Sequence, residues 1–115
     1  MHAYYADQFV LPLPEGHRFP MPKYRMLRDR LLADLPEVAL QPAPPATDGE
    51  LALAHTPAYI DGIATGSVDP RILREIGFPW SEAMVERARR SVGATVAAAR
   101  AALRDGVAGN LAGGT

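Results

Sequence analysis

The sequence predicts an α/β fold organised on a parallel sheet, and three observations carry that expectation. Short apolar, β-prone runs alternate with helical patterns in the order strand, helix, strand, several helices, strand, as when a parallel sheet is assembled through crossovers. One helical pattern, Glu82 to Asp105, is on the order of 36 Å long at 1.5 Å per residue, enough to cross a sheet face. It is rich in alanine, and after it the run Val107 to Ala112 is short, apolar and glycine-bounded, as a buried parallel strand would be.

The first strand is placed near His2 to Tyr5, where aromatic residues favour extended backbone and Asp7 closes the run. The segment Phe9-Val10-Leu11-Pro12-Leu13-Pro14-Glu15-Gly16-His17-Arg18-Phe19-Pro20-Met21-Pro22 carries four prolines past Leu11, which exclude regular helix and central strand. Its apolar residues suit either a loop stapled to the surface by Phe9 and Phe19 or the lining of a cleft.

Pro22 fits a first helical turn, and Tyr24, Leu27, Leu31 and Leu35 recur at helical spacing until Pro36, predicting one buried stripe. Arg25, Arg28, Asp29 and Arg30 are assigned to the solvent face. Lys23 lies in the first turn, where the helix dipole disfavours a cation.

Glu37 to Gln41 is a candidate second strand, ended by Pro42-Ala43-Pro44-Pro45. Asp48 is expected to cap a short turn through Leu53. Thr56-Pro57 and Asp69-Pro70 each read as cap followed by first helical residue, with stops at Gly66 and Gly77. His55, beside the Thr56 cap, has no partner at metal-ligand spacing and reads as structural. Trp80 reads as a packing anchor and Ser81 as the cap of the long helix. There the stripe Val85, Ala88, Val92, Val96, Ala99 and Leu103 follows the three-and-four rule, with a small inner surface at Gly93, Ala94, Ala97, Ala98, Ala101 and Ala102. Glu86 and Arg90 are spaced for an ion pair.

Composition narrows function mainly by exclusion. The 115 residues suffice for one domain, with 48% hydrophobic residues and 22% charged. Lys+Arg 12 against Asp+Glu 13 leaves a net charge of -1, which offers no field for nucleic acid or an anionic membrane. Neither partner is expected. The absence of cysteine removes disulfides, thiolate metal sites and a cysteine nucleophile from these residues. Met1 to Asp7 lacks the basic start and apolar run of a secretory signal, and no apolar stretch spans a bilayer, so a cytoplasmic protein is expected. The chain holds no phosphate loop, no nucleophile elbow and no zinc spacing among His2, His17 and His55.

Four segments point further: Phe9 to Tyr24, His55-Thr56-Pro57-Ala58-Tyr59, Ile76-Gly77-Phe78-Pro79-Trp80-Ser81, and Asn110-Leu111-Ala112-Gly113-Gly114-Thr115. Together, in this order, they resemble the N-terminal part of the histone deacetylase family, nearest its bacterial and class IV-like, acetoin-utilisation-type branch.

The resemblance implies a three-layer α/β/α sandwich with a parallel sheet, arginase-like, of which residues 1–115 are expected to be the incomplete N-terminal portion of a single catalytic domain. It implies a zinc-dependent amide hydrolase acting on acetylated lysine or a small acetylated amine. Its His-His pair follows the Gly-Gly-Thr segment, and its zinc ligands lie further on. Zn2+ is therefore a cofactor of the full-length enzyme, while this chain by itself is expected to bind none and to be inactive.

Five residues are carried over as substrate-binding. Gly113 and Gly114 match glycines bordering the acetyl pocket, or mark close packing of the sheet. His17, Phe19 and Lys23 match the rim and floor, where Lys23 either holds acetate or is a solvated lysine. No catalytic or metal residue is assigned within the chain. The competing expectation is a small noncatalytic α/β interaction module using the proline-rich loop and Trp80.

Overall fold

The computed structural model describes residues 1–113. Its elements are β1 (His2–Tyr5), α1 (Lys23–Asp34), β2 (Ala39–Pro42), α2 (Asp48–Leu51), α3 (Pro57–Thr65), α4 (Pro70–Ile76), α5 (Glu82–Asp105) and β3 (Ala108–Asn110). The three strands form a parallel sheet in the order β2-β1-β3, with His2 opposite both Ala39 and Ala108. The α/β expectation thus holds.

Local chemistry sets most boundaries. The Thr56 and Ser81 side chains accept from the backbone N–H groups of Tyr59 and Met84, and Asp69 accepts from that of Arg71, each satisfying a donor the helix leaves open. Gly66 and Gly77 end α3 and α4 in the left-handed region, at φ 73° and 82°, which a residue with a Cβ adopts at a cost. For α2 the cap is Thr47, not Asp48. Thr47 Oγ1 accepts from Glu50 N at 3.1 Å while Glu50 Oε1 accepts from Thr47 N at 3.0 Å, a reciprocal capping box.

The core lies between the sheet and α5. Tyr4, Ala6, Ala43, Ala94, Ala98, Ala101 and Ala112 form it, mostly through small side chains that let the helix approach closely. The small inner surface read from the sequence is the one that packs: Gly93, Ala94, Ala98 and Ala101 are buried and Ala97 and Ala102 half-buried, joined by Met84 and Arg87. The stripe of larger residues is half-buried at Val85 and Val96 and open at Val92 and Leu103, 40% and 90% exposed. Contact with a sheet selects the side that fits, and at Gly93 a Cβ would collide with the Pro44 carbonyl oxygen. The Pro42-Ala43-Pro44-Pro45 connector is correspondingly part of the core, with Ala43 fully buried.

Helix α1 is corrected as well. Only Tyr24 of its stripe is buried, and Leu27 and Leu35 are each 45% exposed. Arg28, assigned to solvent, instead bonds Asp7 at 3.0 Å and lies 4.5 Å over the Tyr5 ring. Because side chains alternate along a strand, Tyr5 is on the sheet face opposite Tyr4, so α1 reaches the face that α5 leaves free. Trp80 is the anchor expected of it: its indole N–H donates to the Ile63 carbonyl at 2.7 Å, and its ring lies against Gly66.

No described helix is long and apolar enough to cross a membrane.

Candidate functional site

In a parallel sheet all strands end on one side, and a crevice opens where successive connections leave in opposite directions. With the order β2-β1-β3, the chain leaves β1 towards β2 and later returns to the other flank of β1. The switch falls between β1 and β3. A cavity of about 280 Å3 contacts the segments that follow these two strands, lined by Leu11, Phe19, Phe78, Met84, Arg87, Ala88, Ser91, Val92 and Gly113. Two of the residues singled out from the sequence, Phe19 and Gly113, therefore meet on one cavity although 94 positions separate them.

Gly113 is held there by side chains. Asn110 Oδ1 accepts from Ala112 N at 2.7 Å and Gly113 N at 3.3 Å, while its Nδ2 donates to Ser91 O at 3.1 Å and Thr95 Oγ1 at 2.8 Å. Ser91 Oγ also donates to Gly113 O at 3.2 Å. The turn after β3 is thus fastened to α5 by three hydrogen bonds and closed on itself by two more. Gly113 has φ 45°, and a Cβ placed on it would meet nothing within 4 Å, so its fitness there is one of backbone conformation and open space. Gly114 lies outside the described residues.

Phe19 packs edge-on against Phe78, centroids 5.2 Å apart, and tilted against Tyr24 at 6.0 Å. His17 stacks on Phe78 at 5.6 Å, and its Nε2 donates to Gly77 O at 3.2 Å. It braces the wall from behind and does not line the cavity. Lys23 is exposed at the rim, with Nζ 4.7 Å from the Phe19 centroid and 5.0 Å from that of Tyr24. The ammonium is thus held by two ring faces, an attraction that survives near water because it needs no buried partner.

The cation within the cavity wall is Arg87, which sequence reasoning passed over. It is 8% exposed, with its guanidinium 4.5 Å from the Tyr24 ring centre, and no described carboxylate pairs with it. Its Nε and the neighbouring Tyr24 hydroxyl are buried without hydrogen-bond partners. Burying an uncompensated guanidinium costs free energy that one aromatic face offsets only in part. The signal was available: Arg87 falls at the spacing of Met84, Ala94, Ala98 and Ala101, so a cation stands on the inner line of α5.

A second cavity, about 290 Å3, is an apolar groove between α3, α4 and α5, walled by Ile60, Ile63, Ile76, Phe78, Val85 and Val92 among others. His55 and Tyr59 line it, their rings tilted against each other at 5.2 Å.

Among the described residues no three His, Cys, Asp or Glu side chains converge as a metal-holding group. The described donors thus do not fit a zinc site.

No protein-family model matches the chain. An uncharacterized protein of Picosynechococcus sp. is 44% identical to it over 114 residues, which is 96% of this chain. The chain spans 38% of that relative's length.

Proposed function

We propose that the chain contributes to the catalytic domain of a zinc-dependent deacetylase of the histone deacetylase family, cleaving the amide of an acetylated lysine or small acetylated amine in the cytoplasm. The proposal takes the three-stranded parallel sheet as part of an arginase-like three-layer sandwich. The observation that supports it most is the meeting of the proline-rich loop and the turn after β3 at one cavity, beside the ends of β1 and β3. Both segments are among those that carry the family resemblance, the second most strongly, and nothing in their own sequences requires them to touch.

Within this reading the chain supplies walls. Phe19 and Phe78 give flat apolar surface to an acyl group and the alkyl stem beside it. The backbone at Gly113 approaches without a side chain, and Arg87 and Lys23 place positive charge inside and at the rim. Zinc would supply Lewis acidity and an activated water in such an enzyme. The described residues contain no site for it, and no step is assigned to it here.

The test is binding. Nε-acetyl-lysine methyl amide added to the 15N-labelled chain is expected to shift the Phe19 and Gly113 amide resonances saturably, with unacetylated lysine methyl amide as control. Gly113→Val fills the cavity mouth and is expected to abolish the shifts. Perturbation confined to the α3–α4–α5 groove, or equal effects of both lysines, would count against the reading.

A further inference from the structure

We infer that the cavity at the strand ends and the groove between α3, α4 and α5 are two lobes of one site, which takes an aliphatic monocarboxylate with its head on Arg87 and its tail in the groove. The two lobes share a wall: Phe78, Met84, Ala88 and Val92 line both. Met84, Ala88 and Val92 recur every four residues and so form one line along α5, with Phe78 where the two spaces meet. Ala88, at the middle of that line, is exposed, and its methyl group leaves a low passage across the helix. Each lobe alone, about 280 and 290 Å3, falls just short of an ordinary small-molecule site of ~300–1,000 Å3, and the two together fall within that range.

Charge fixes the head. Arg87 lines the first lobe at 8% exposure, and among the described residues no carboxylate pairs with it. Its Nε and the Tyr24 hydroxyl beside it are buried without partners. A guanidinium presents its donors in a planar fork that suits a carboxylate, and a bound carboxylate supplies the compensation that folding alone leaves out. The other guanidinium at these walls is already satisfied: Arg89, in the groove, bonds Asp48 at 2.7 Å and the Ala46 carbonyl at 3.3 Å. The first lobe is otherwise apolar apart from Ser91, whose hydroxyl donates to the Gly113 carbonyl. One unpaired cation suits a single negative charge, whereas a phosphate would find too few donors for its oxygens.

Burial fixes the tail. Past Ala88 the groove is walled by Ile60, Ile63, Ile76 and Val85, which recognise an alkyl chain by the water it sheds. Affinity should therefore grow with chain length, by about fourfold per methylene buried. The site stands on Arg87 and the shared wall and not on the deacetylase reading, and its test uses no acetylated amine, so either can fail alone.

Sodium octanoate is titrated into the 15N-labelled 115-residue chain, beside sodium acetate and butanoate, which shorten the tail, and 1-octanol, which removes the charge. Octanoate is expected to shift the Arg87 and Ala88 amide resonances together with those of Ile63 and Ile76, saturably and with one dissociation constant. Acetate is expected to bind at least about a hundredfold more weakly. Arg87→Met keeps a long apolar stem and loses the charge, so octanoate should then bind no better than 1-octanol, whose own affinity is unchanged. Ala88→Leu, at an exposed helical position, raises the floor between the lobes: octanoate should lose its advantage over butanoate while acetate binds as before, a result that does not depend on how Arg87→Met folds. Acetate or 1-octanol as tight as octanoate, octanoate shifts confined to one lobe, undiminished chain-length dependence in Ala88→Leu, or no saturable shift each overturns the site.

Discussion

Replacing Gly93 with alanine sets two physical effects against each other and shows which governs α5. Gly93 sits inside a 24-residue helix, where alanine is favoured over glycine by about 1 kcal/mol. On propensity alone Gly93→Ala stabilises. Packing argues the reverse. The new Cβ would overlap the Pro44 carbonyl oxygen and stand 2.8 Å from its carbon and 2.9 Å from Ala46 N. The overlap with the Pro44 oxygen is the deepest of the three, so helix and connector must part by more than about 1 Å before that pair reaches van der Waals contact. A gap of that size forfeits about half or more of the dispersion well along the contact, and overpacking generally costs about 1–3 kcal/mol. The same displacement stretches the Ala46 N–H bond to Arg89 O, now 2.9 Å, a bond worth about 1 kcal/mol net. With propensity subtracted, the expected result is a net loss of about 2 kcal/mol. Urea unfolding followed by far-ultraviolet circular dichroism measures it. Ala99→Gly, at an exposed position of the same helix, is the control and should cost about 1 kcal/mol. A Gly93→Ala chain as stable as the wild type, or more so, would refute the close contact of α5 with the Pro44 connector.

Two further tests follow from the same contacts. Asn110→Ala leaves the Ala112 N–H without its acceptor in a residue only 2% exposed, so a loss of about 1–3 kcal/mol is expected, with the Ala112 and Gly113 amide resonances shifting first; unchanged stability and spectra would remove Asn110 as the fastener of the turn. The Glu50 carboxyl is held below its ordinary value chiefly by the Thr47 backbone N–H; desolvation opposes this next, and the Thr47 hydroxyl and the Arg100 charge add smaller lowering effects. A depressed value means that the capping box contributes fully above the ordinary carboxylate range and is lost as pH falls through the lowered one. The Thr47 amide resonance should report that acid transition in the wild type, and Glu50→Gln should abolish it.

The sequence was most informative where structure is decided within a few residues. Thr56, Asp69 and Ser81 cap helices because their side-chain oxygens reach N–H groups two or three positions on, and Gly66 and Gly77 end helices because left-handed backbone favours glycine. The Glu86–Arg90 pair, 2.8 Å, is local in the same sense. Burial is not. Period alone gives α5 two apolar faces, and it was the smallness of Gly93, Ala94, Ala98 and Ala101, not their spacing, that marked the inner one. The sheet selected alanines and Gly93, since the Pro44 connector comes too close for anything longer. Arginine was the second blind spot. Arg28, Arg87 and Arg90 lie over Tyr5, Tyr24 and Phe9 at 4.5, 4.5 and 4.3 Å, and each ring comes from a segment distant in sequence. A long cation with an aromatic partner is a packing group, whereas pattern reading assigns it to water. Of the candidate site, Phe19 and Gly113 were legible and their shared cavity was not, because their meeting depends on the strand order.

That dependence makes α5 the part on which the cavity's shape turns. Its middle, through Gly93 and Ala94, sets how closely the helix approaches the sheet; on its N-terminal side, Met84, Arg87 and Ser91 form the cavity wall. The two functions share one rigid element, so spacing and wall shape are coupled. Displacing the helix at Gly93 carries Ser91 with it, and the Ser91 hydroxyl reaches the Gly113 carbonyl through a single 3.2 Å bond already longer than an ordinary O–H···O bond. On the opposite side, Phe19 is held through the His17 contacts and ring packing, which are weaker constraints than a helix. The cavity therefore has one wall fixed by close packing and one held by loop contacts, so variants of α5 should change its size from the side of the fixed wall.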